Sequence, residues 1–264
     1  MLIDLDELGK AITGTDAEAG ERARLRLIER PPARGVGRLS DLAQWWAAVR
    51  GDDRAPVPSR VRQVGVDHPL PSAGTAQEAL AWGVSAADEA ADAGVELIAL
   101  TVDDPLSARL VAAELMGLDP VEACGWPQDR DQDDDAWMDE VLVLRDGLRR
   151  TRGLRGDLGA LLEAVGSAPM AAAAALAVQA TVRRVPLLLD GPGAGSAALL
   201  ARRTAYSANQ WWQAAHGEAD VLHGRTLRSL SLEPITSLGV VVEDGTAARL
   251  GLGVLTIATE LLTR

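Results

Sequence analysis

The chain has no phenylalanine, one tyrosine and one cysteine, and its single lysine is Lys10. Without phenylalanine, aromatic packing falls to seven tryptophans, including the adjacent pairs Trp45-Trp46 and Trp211-Trp212. Such pairs are expected to pack helices rather than stack a base. A lone cysteine, Cys124, excludes an internal disulfide and a multi-cysteine zinc site. Its expected role is that of a small buried hydrophobe. Long apolar runs are missing too: the soft stretch Pro169 to Val178 is mostly alanine and shorter than the roughly 18 residues of a membrane span. The N-terminus, Met1-Leu2-Ile3-Asp4-Leu5-Asp6, lacks the basic-then-apolar pattern of a signal peptide. Cations are outnumbered, 26 against 38 acids, for a net charge of −12. Nucleic acid, which is bound by clustered cations, is therefore not an expected partner. The reading is a cytoplasmic protein with no membrane or nucleic-acid partner.

With 264 residues, 47% of them hydrophobic, the chain can bury one sizeable core. Residues 4 to 30 carry Leu5, Leu8 and Ile12 at helical spacing and read as helical up to Pro31-Pro32. Leu39 to Val49 reads as an amphipathic helix, Gly51 to Ser59 as a surface linker, and Arg60 to Val66 as a short strand. Thr75 to Ala93 is helical with Gly94 at its C-terminus, and Val95 to Val102 is an apolar run typical of a strand buried on both faces. Pro105 to Met116 reads as a helix capped by Asp104. After an acidic loop at Asp129 to Asp135 come helices at Asp139 to Arg152, Leu154 to Val165 and Ala168 to Arg183. Val185 to Leu189 is the clearest strand. Helices are expected at Ser196 to Arg203, Ala208 to His216 and Leu222 to Ser229, then a strand at Ile235 to Val242 and a helix at Thr246 to Leu262. Alternating strands and helices imply an α/β fold, a mostly parallel, Rossmann-like sheet covered on both faces. The expected organisation is a single domain, 1–264, whose residues 1–50 form a small helical lobe packing with the C-terminal helix.

In open α/β sheets ligands bind at the carboxyl ends of strands, near helix N-termini. Three segments qualify. In Asp190-Gly191-Pro192-Gly193-Ala194-Gly195-Ser196 the glycines would either admit an anion or serve tight packing. Glu243-Asp244-Gly245-Thr246 offers two acids at a helix start, as caps or as a general base. Seven residues apart, His216 and His223 would share a face on one unbroken helix, which a break near Gly217 opposes, and would need Asp220 or Glu218 to hold a metal; hydrogen-bonded structural histidines are the simpler reading. His68, after Asp67, stands at a strand end with either a catalytic or a loop-anchoring role open.

These segments, in this order, resemble the nicotinate-nucleotide:dimethylbenzimidazole phosphoribosyltransferases, which make the lower-ligand nucleotide of cobalamin. Arg30-Pro31-Pro32-Ala33-Arg34-Gly35-Val36-Gly37-Arg38-Leu39 is similar to that family's KPPGSLGRLE motif, and Asp67-His68-Pro69 to its DHG. Val185 to Leu200 resembles its "PVLLDGF…AAAL" segment. His216 and His223 fall on its HxSxExxH spacing with Asp220 in place of the glutamate, and Leu230 to Ala248 resembles "LGLxPLLxLxxRLGEGTGA". The resemblance implies a phosphoribosyltransferase acting on nicotinate mononucleotide and an aromatic base, with no cofactor and no metal. It places Asp244 on the family's general-base glutamate, with Glu243 as the neighbouring alternative. It also implies substrate binding by Asp67, His68, Asp190, Gly191, Gly193, His216, Gly245 and Thr246. A homodimer, or a heterodimer with a paralogue, is the implied assembly.

The chain departs from the family pattern where phosphate should bind. The family's GEMGIGNTT loop becomes Thr101-Val102-Asp103-Asp104-Pro105-Leu106-Ser107. A carboxylate about 4 Å from a phosphate, at an effective dielectric near 20, is repelled by roughly 4 kcal/mol, and Pro105 has no N–H to offer. The family's GRGTG becomes Gly125-Trp126-Pro127-Gln128-Asp129, its GG-x-E-I-A turn becomes Gly166-Ser167-Ala168-Pro169-Met170-Ala171, and a block is missing between Pro69 and Thr75. Arg109 and Arg202 are candidates to meet the phosphate instead. The alternative expectation is a non-catalytic homologue that binds a base or nucleotide, or pairs with a catalytic paralogue.

Overall fold

The computed structural model describes residues 2–29, 37–126, 133–217, 220–240 and 244–263. Five parallel strands form one sheet: β1 (Val61–Val64), β2 (Leu97–Thr101), β3 (Leu187–Asp190), β4 (Trp212–His216) and β5 (Pro234–Thr236). They lie side by side in chain order, β1-β2-β3-β4-β5. Every crossover therefore steps the same way. With right-handed connections, the crossover helices share one face of the sheet, and no reversal of strand order opens a crevice.

The pleat shows which helices take which face. Trp212 donates its indole N–H to Thr181 of α9 (Ala168–Val182). Ala215, of opposite parity on β4, lies against Gly251 of α12 (Thr246–Thr263), where an added Cβ would come within 3.0 Å of its Cα. Successive residues of a strand point to opposite faces, so α9 and α12 sandwich the sheet. On the outer side, α12 packs on α3 (Arg38–Arg50), and α3 on α2 (Ala17–Glu29). The short α1 (Leu5–Gly9) goes to the other face, against α9 and α10 (Gly191–Thr204). Nearly all of α9 is buried, as a helix apolar all round requires. It meets α4 (Ala76–Asp92) so closely that a Cβ on Gly83 would stand 2.2 Å from the Ala172 carbonyl oxygen.

The long β2-to-β3 crossover carries α5 (Pro105–Met116), α6 (Pro120–Cys124), α7 (Asp134–Thr151), a 3-10 turn (Leu154–Gly156), α8 (Leu158–Val165) and α9. The remaining helix, α11 (Val221–Leu230), joins β4 to β5. Thr75 and Glu78 form a reciprocal capping box at the start of α4, and Asp104 caps α5 as its sequence position suggests.

Four local expectations are corrected. The helical segment 4–30 is two helices, because Asp16 accepts the Ala19 N–H and starts α2 afresh, with 10–16 as the break. Residue 30 and the rest of the motif through Val36 lie outside the described residues. The glycine segment after Asp190 is not a loop: Gly191 turns at φ 77° and α10 begins there, with Pro192 in its first turn. Residues 208–216 are not a helix. A 3-10 turn (Tyr206–Trp211) leads straight into β4, whose alternate residues pack on opposite layers, so tertiary packing overrides local propensity. The expected last strand is short, Pro234–Thr236, and Val241 and Val242 lie outside the described residues. So does most of the acidic loop before Asp133, whose side chain caps α7.

The tryptophans brace helices and loops. Trp45 and Trp46 donate to the carbonyls of Gln210 and Pro56, and Trp211 to that of Thr13. Cys124 is buried. No helix among the described residues is long and apolar enough to cross a membrane.

Candidate active site

The carboxyl edge of the sheet gathers four segments. Gly65, directly after β1, has φ 93°, and a Cβ there would stand 1.9 Å from the Thr101 carbonyl oxygen. Only glycine lets this turn lie on the end of β2. The turn closes through Gly65 N–H to the His68 carbonyl at 2.9 Å and His68 N–H to the Gln63 carbonyl at 3.2 Å, which leaves the Asp67 and His68 side chains exposed. Thr101 ends β2 and donates its hydroxyl to Asp190 Oδ2, at the end of β3, across 3.0 Å. Gly245, at φ 83°, brings the start of α12 down onto the same edge: a Cβ there would be 2.9 Å from Val66 Cγ2.

Two carboxylates at this edge have opposite environments. Asp190 is 1% exposed, and its Oδ1 makes no hydrogen bond. Burial raises its pKa, and the negative charge of Asp244 raises it further. The Thr101 hydroxyl, with the nearby backbone of Ala248 and Gly245, offsets part of that cost. Asp244 is exposed, and its Oδ1 accepts the Thr246 N–H at 2.9 Å. Hydrogen bonding to the Thr246 side chain and then to its backbone holds Asp244 below the usual carboxylate range, and Arg249 adds to this. Asp244 is thus a helix cap and an ionised group. Glu243 lies outside the described residues.

The histidines do not share a helix face, in line with the break expected near Gly217. His216 ends β4, His223 lies on α11, and the His223 ring meets the His216 carbonyl at 3.2 Å through Nε2. That contact requires a proton on Nε2, so His223 Nδ1 carries the lone pair. His216 Nε2 accepts the Leu238 N–H at 2.8 Å. Both rings are buried with Nδ1 unpartnered, and burial lowers the pKa of each. Asp220 caps α11 by accepting the His223 N–H and also accepts from Arg109 at 2.9 Å. Glu218 lies outside the described residues. The pair fixes the β4–α11 connection.

The proposed phosphate contacts are engaged elsewhere. Arg109 pairs with Asp220 and with Glu140 at 2.7 Å. Arg202 donates to the Ser229 carbonyl and covers the Tyr206 ring at 4.5 Å. The α5 N-terminus is filled by its own acid: Asp104 accepts the Ser107 N–H at 3.2 Å and the Ser167 hydroxyl at 2.5 Å. Gly193 serves close packing, since a Cβ there would lie 2.0 Å from the Val102 carbonyl oxygen. Sequence reasoning passed over Gly65, Thr101 and Ser167. The one signal for Thr101 was a hydroxyl closing an apolar strand.

A family model described as phosphoribosyltransferase matches residues 71–264, which hold Asp190, the histidine pair and the start of α12. The chain belongs to this phosphoribosyltransferase family. It is 37% identical over 232 residues to a protein of Mycobacterium avium (strain 104) named nicotinate-nucleotide--dimethylbenzimidazole phosphoribosyltransferase, covering 86% of this chain and 65% of that protein. A protein of the same name from Mycobacterium tuberculosis (strain ATCC 25618 / H37Rv) is 37% identical over 188 residues, 70% of this chain and 52% of that protein. The chain thus spans at most about two thirds of the length of these relatives. The crystal structure of the Thermus thermophilus nicotinate-nucleotide-dimethylbenzimidazole phosphoribosyltransferase superposes with a TM-score of 0.80 at 21% identity, over 94% of this chain and 96% of that one. This likeness supports the α/β fold, with its parallel sheet between two helical layers.

Proposed function

We propose that this phosphoribosyltransferase-family chain transfers phosphoribose from nicotinate mononucleotide to an aromatic base such as dimethylbenzimidazole, at the carboxyl edge of the sheet. The observation that carries the reading is the pair of carboxylates there, one buried with a raised pKa and one exposed and ionised. Paired acids driven apart by their surroundings take different roles in acid–base chemistry. In the proposed reaction a ring nitrogen of the base attacks the anomeric carbon, the bond to nicotinate breaks, and the base's N–H proton passes to Asp244.

Capped by Thr246, Asp244 is a weak base, so substrate must draw it away from that hydrogen bond before it accepts a proton. Asp190, with its free Oδ1, then receives a substrate donor or stabilises positive charge on the ribosyl centre. Glu243, Asp67, His68, Gly191, Gly193, His216, Gly245 and Thr246 complete the proposed site, with His216 and Gly193 acting by holding it in shape. With Arg109, Arg202 and the α5 N-terminus already committed, the phosphate falls to other groups at this edge. A homodimer in the cytoplasm is the proposed setting.

The test is incubation of the purified protein with nicotinate mononucleotide and dimethylbenzimidazole, with nicotinate and α-ribazole phosphate followed by chromatography. Product that Asp244→Asn abolishes supports the reading. No product from a folded protein, beside an active full-length relative, rejects it in favour of a binding or partner role.

A further inference from the structure

The chain is strongly acidic overall, yet residues 145–155 hold Arg145, Arg149, Arg150, Arg152 and Arg155 against a single acid, Asp146. Four of these, Arg145, Arg149, Arg152 and Arg155, line one open cavity of about 550 Å³ between the C-terminal ends of α5 and α7. The cavity is remote from the candidate active site. Pro105 starts α5 at the carboxyl edge and the cavity begins at Ala113, about two turns further along the same helix, a separation of roughly 12 Å.

Structural needs account for only part of this charge. Arg149 and Arg150 sit in the last turn of α7 and complement its dipole. Asp146 pairs with Arg145 at 3.0 Å and with Arg149 at 3.6 Å, so one acid serves two guanidinium groups. Arg152 and Arg155 lie past the helix, and among the described residues their side chains form no ion pair. Of the two acids that line the cavity, Asp119 is committed to capping α6 and Glu114 accepts from the Thr151 hydroxyl at 3.4 Å. Leu118 and Leu148 give the cavity an apolar wall.

We propose that this cavity is a second binding site, for a small phosphorylated molecule. Guanidinium forks match phosphate oxygens in paired hydrogen bonds, which the single-point ammonium of lysine does not. The volume lies within the usual range of small-molecule sites. Arg152 and Arg155 hold the phosphate, and the leucines meet the less polar body of the ligand. The assignment is independent of the proposed transferase activity.

Isothermal titration with pyrophosphate, at fixed ionic strength, tests it. Saturable binding is expected, weakened by at least about tenfold in the Arg152→Ala/Arg155→Ala double variant. Arg155→Lys, which keeps the charge and loses the fork, should fall between the two. Arg22→Ala, on the distant α2, should bind like the parent chain. Arg152 and Arg155 are both exposed, and circular dichroism of each variant is the check on its folding. No saturable binding by the parent chain overturns the proposal, as does equal binding by the double variant, which would place pyrophosphate at another site.

Discussion

Thr101 and Asp190 are register partners on β2 and β3, and the threonine hydroxyl donates to the buried carboxylate across 3.0 Å. The bond ties the last residue of each strand to the other and leaves one carboxylate oxygen unsatisfied at the edge of the sheet. Thr101→Val keeps the shape and removes the donor. The Asp190 pKa should then rise further, since the largest stabilising contribution to its ionised form is gone. Carboxyl carbon chemical shifts followed through a pH titration would check this, and an unchanged midpoint would refute it. The expected stability loss is about 1–3 kcal/mol.

Asp190 also gives the protein a pH signature. Its folded pKa lies above its unfolded value near 3.8. The folded state therefore binds this proton more tightly, and the contribution is present at low pH and lost as pH rises through the folded value. Asp190→Asn retains an oxygen for Thr101 but never ionises. Its denaturant midpoint at neutral pH should equal or exceed that of the parent chain, with the advantage vanishing on acidification. A variant clearly less stable at neutral pH would show that the charge is compensated.

The histidines act in the opposite sense. Both folded pKa values are depressed by burial, so stability is complete above the unfolded value near 6.5 and is lost as pH falls below it. Each buried histidine contributes a limiting slope of about 1.4 kcal/mol per pH unit. His223→Gln keeps an N–H for the His216 carbonyl at the place of the ring Nε2 and should remove one of the two slopes. Urea unfolding at several pH values between neutral and mildly acidic reads this directly.

Gly65→Ala should be severe. The added Cβ meets the Thr101 carbonyl oxygen at 1.9 Å and φ is 93°, so both space and backbone conformation oppose it. The cost should exceed the roughly 1–3 kcal/mol usual for overpacking, and it falls where β1, β2 and the candidate site meet. Gly153→Ala, which has a similar positive φ but open space around it, is the control for backbone strain alone. Equal thermal midpoints for the two variants would mean that the contact yields.

The sequence by itself determined the α/β character and much of the helical layer. Pro105 and Asp104 begin α5, and the apolar runs Val95–Val102 and Val185–Leu189 cover nearly all of the strands Leu97–Thr101 and Leu187–Asp190, because caps and buried runs are local signals. The family was legible for the same reason, since its motifs are contiguous. Only the tertiary structure decided that Trp212–His216 is a strand, that α10 starts immediately after Asp190, and that the two histidines meet ring to carbonyl. It alone set the opposite pKa shifts of Asp190 and Asp244. Desolvation and close backbone approach depend on what the rest of the chain places alongside a residue, and no local pattern encodes that.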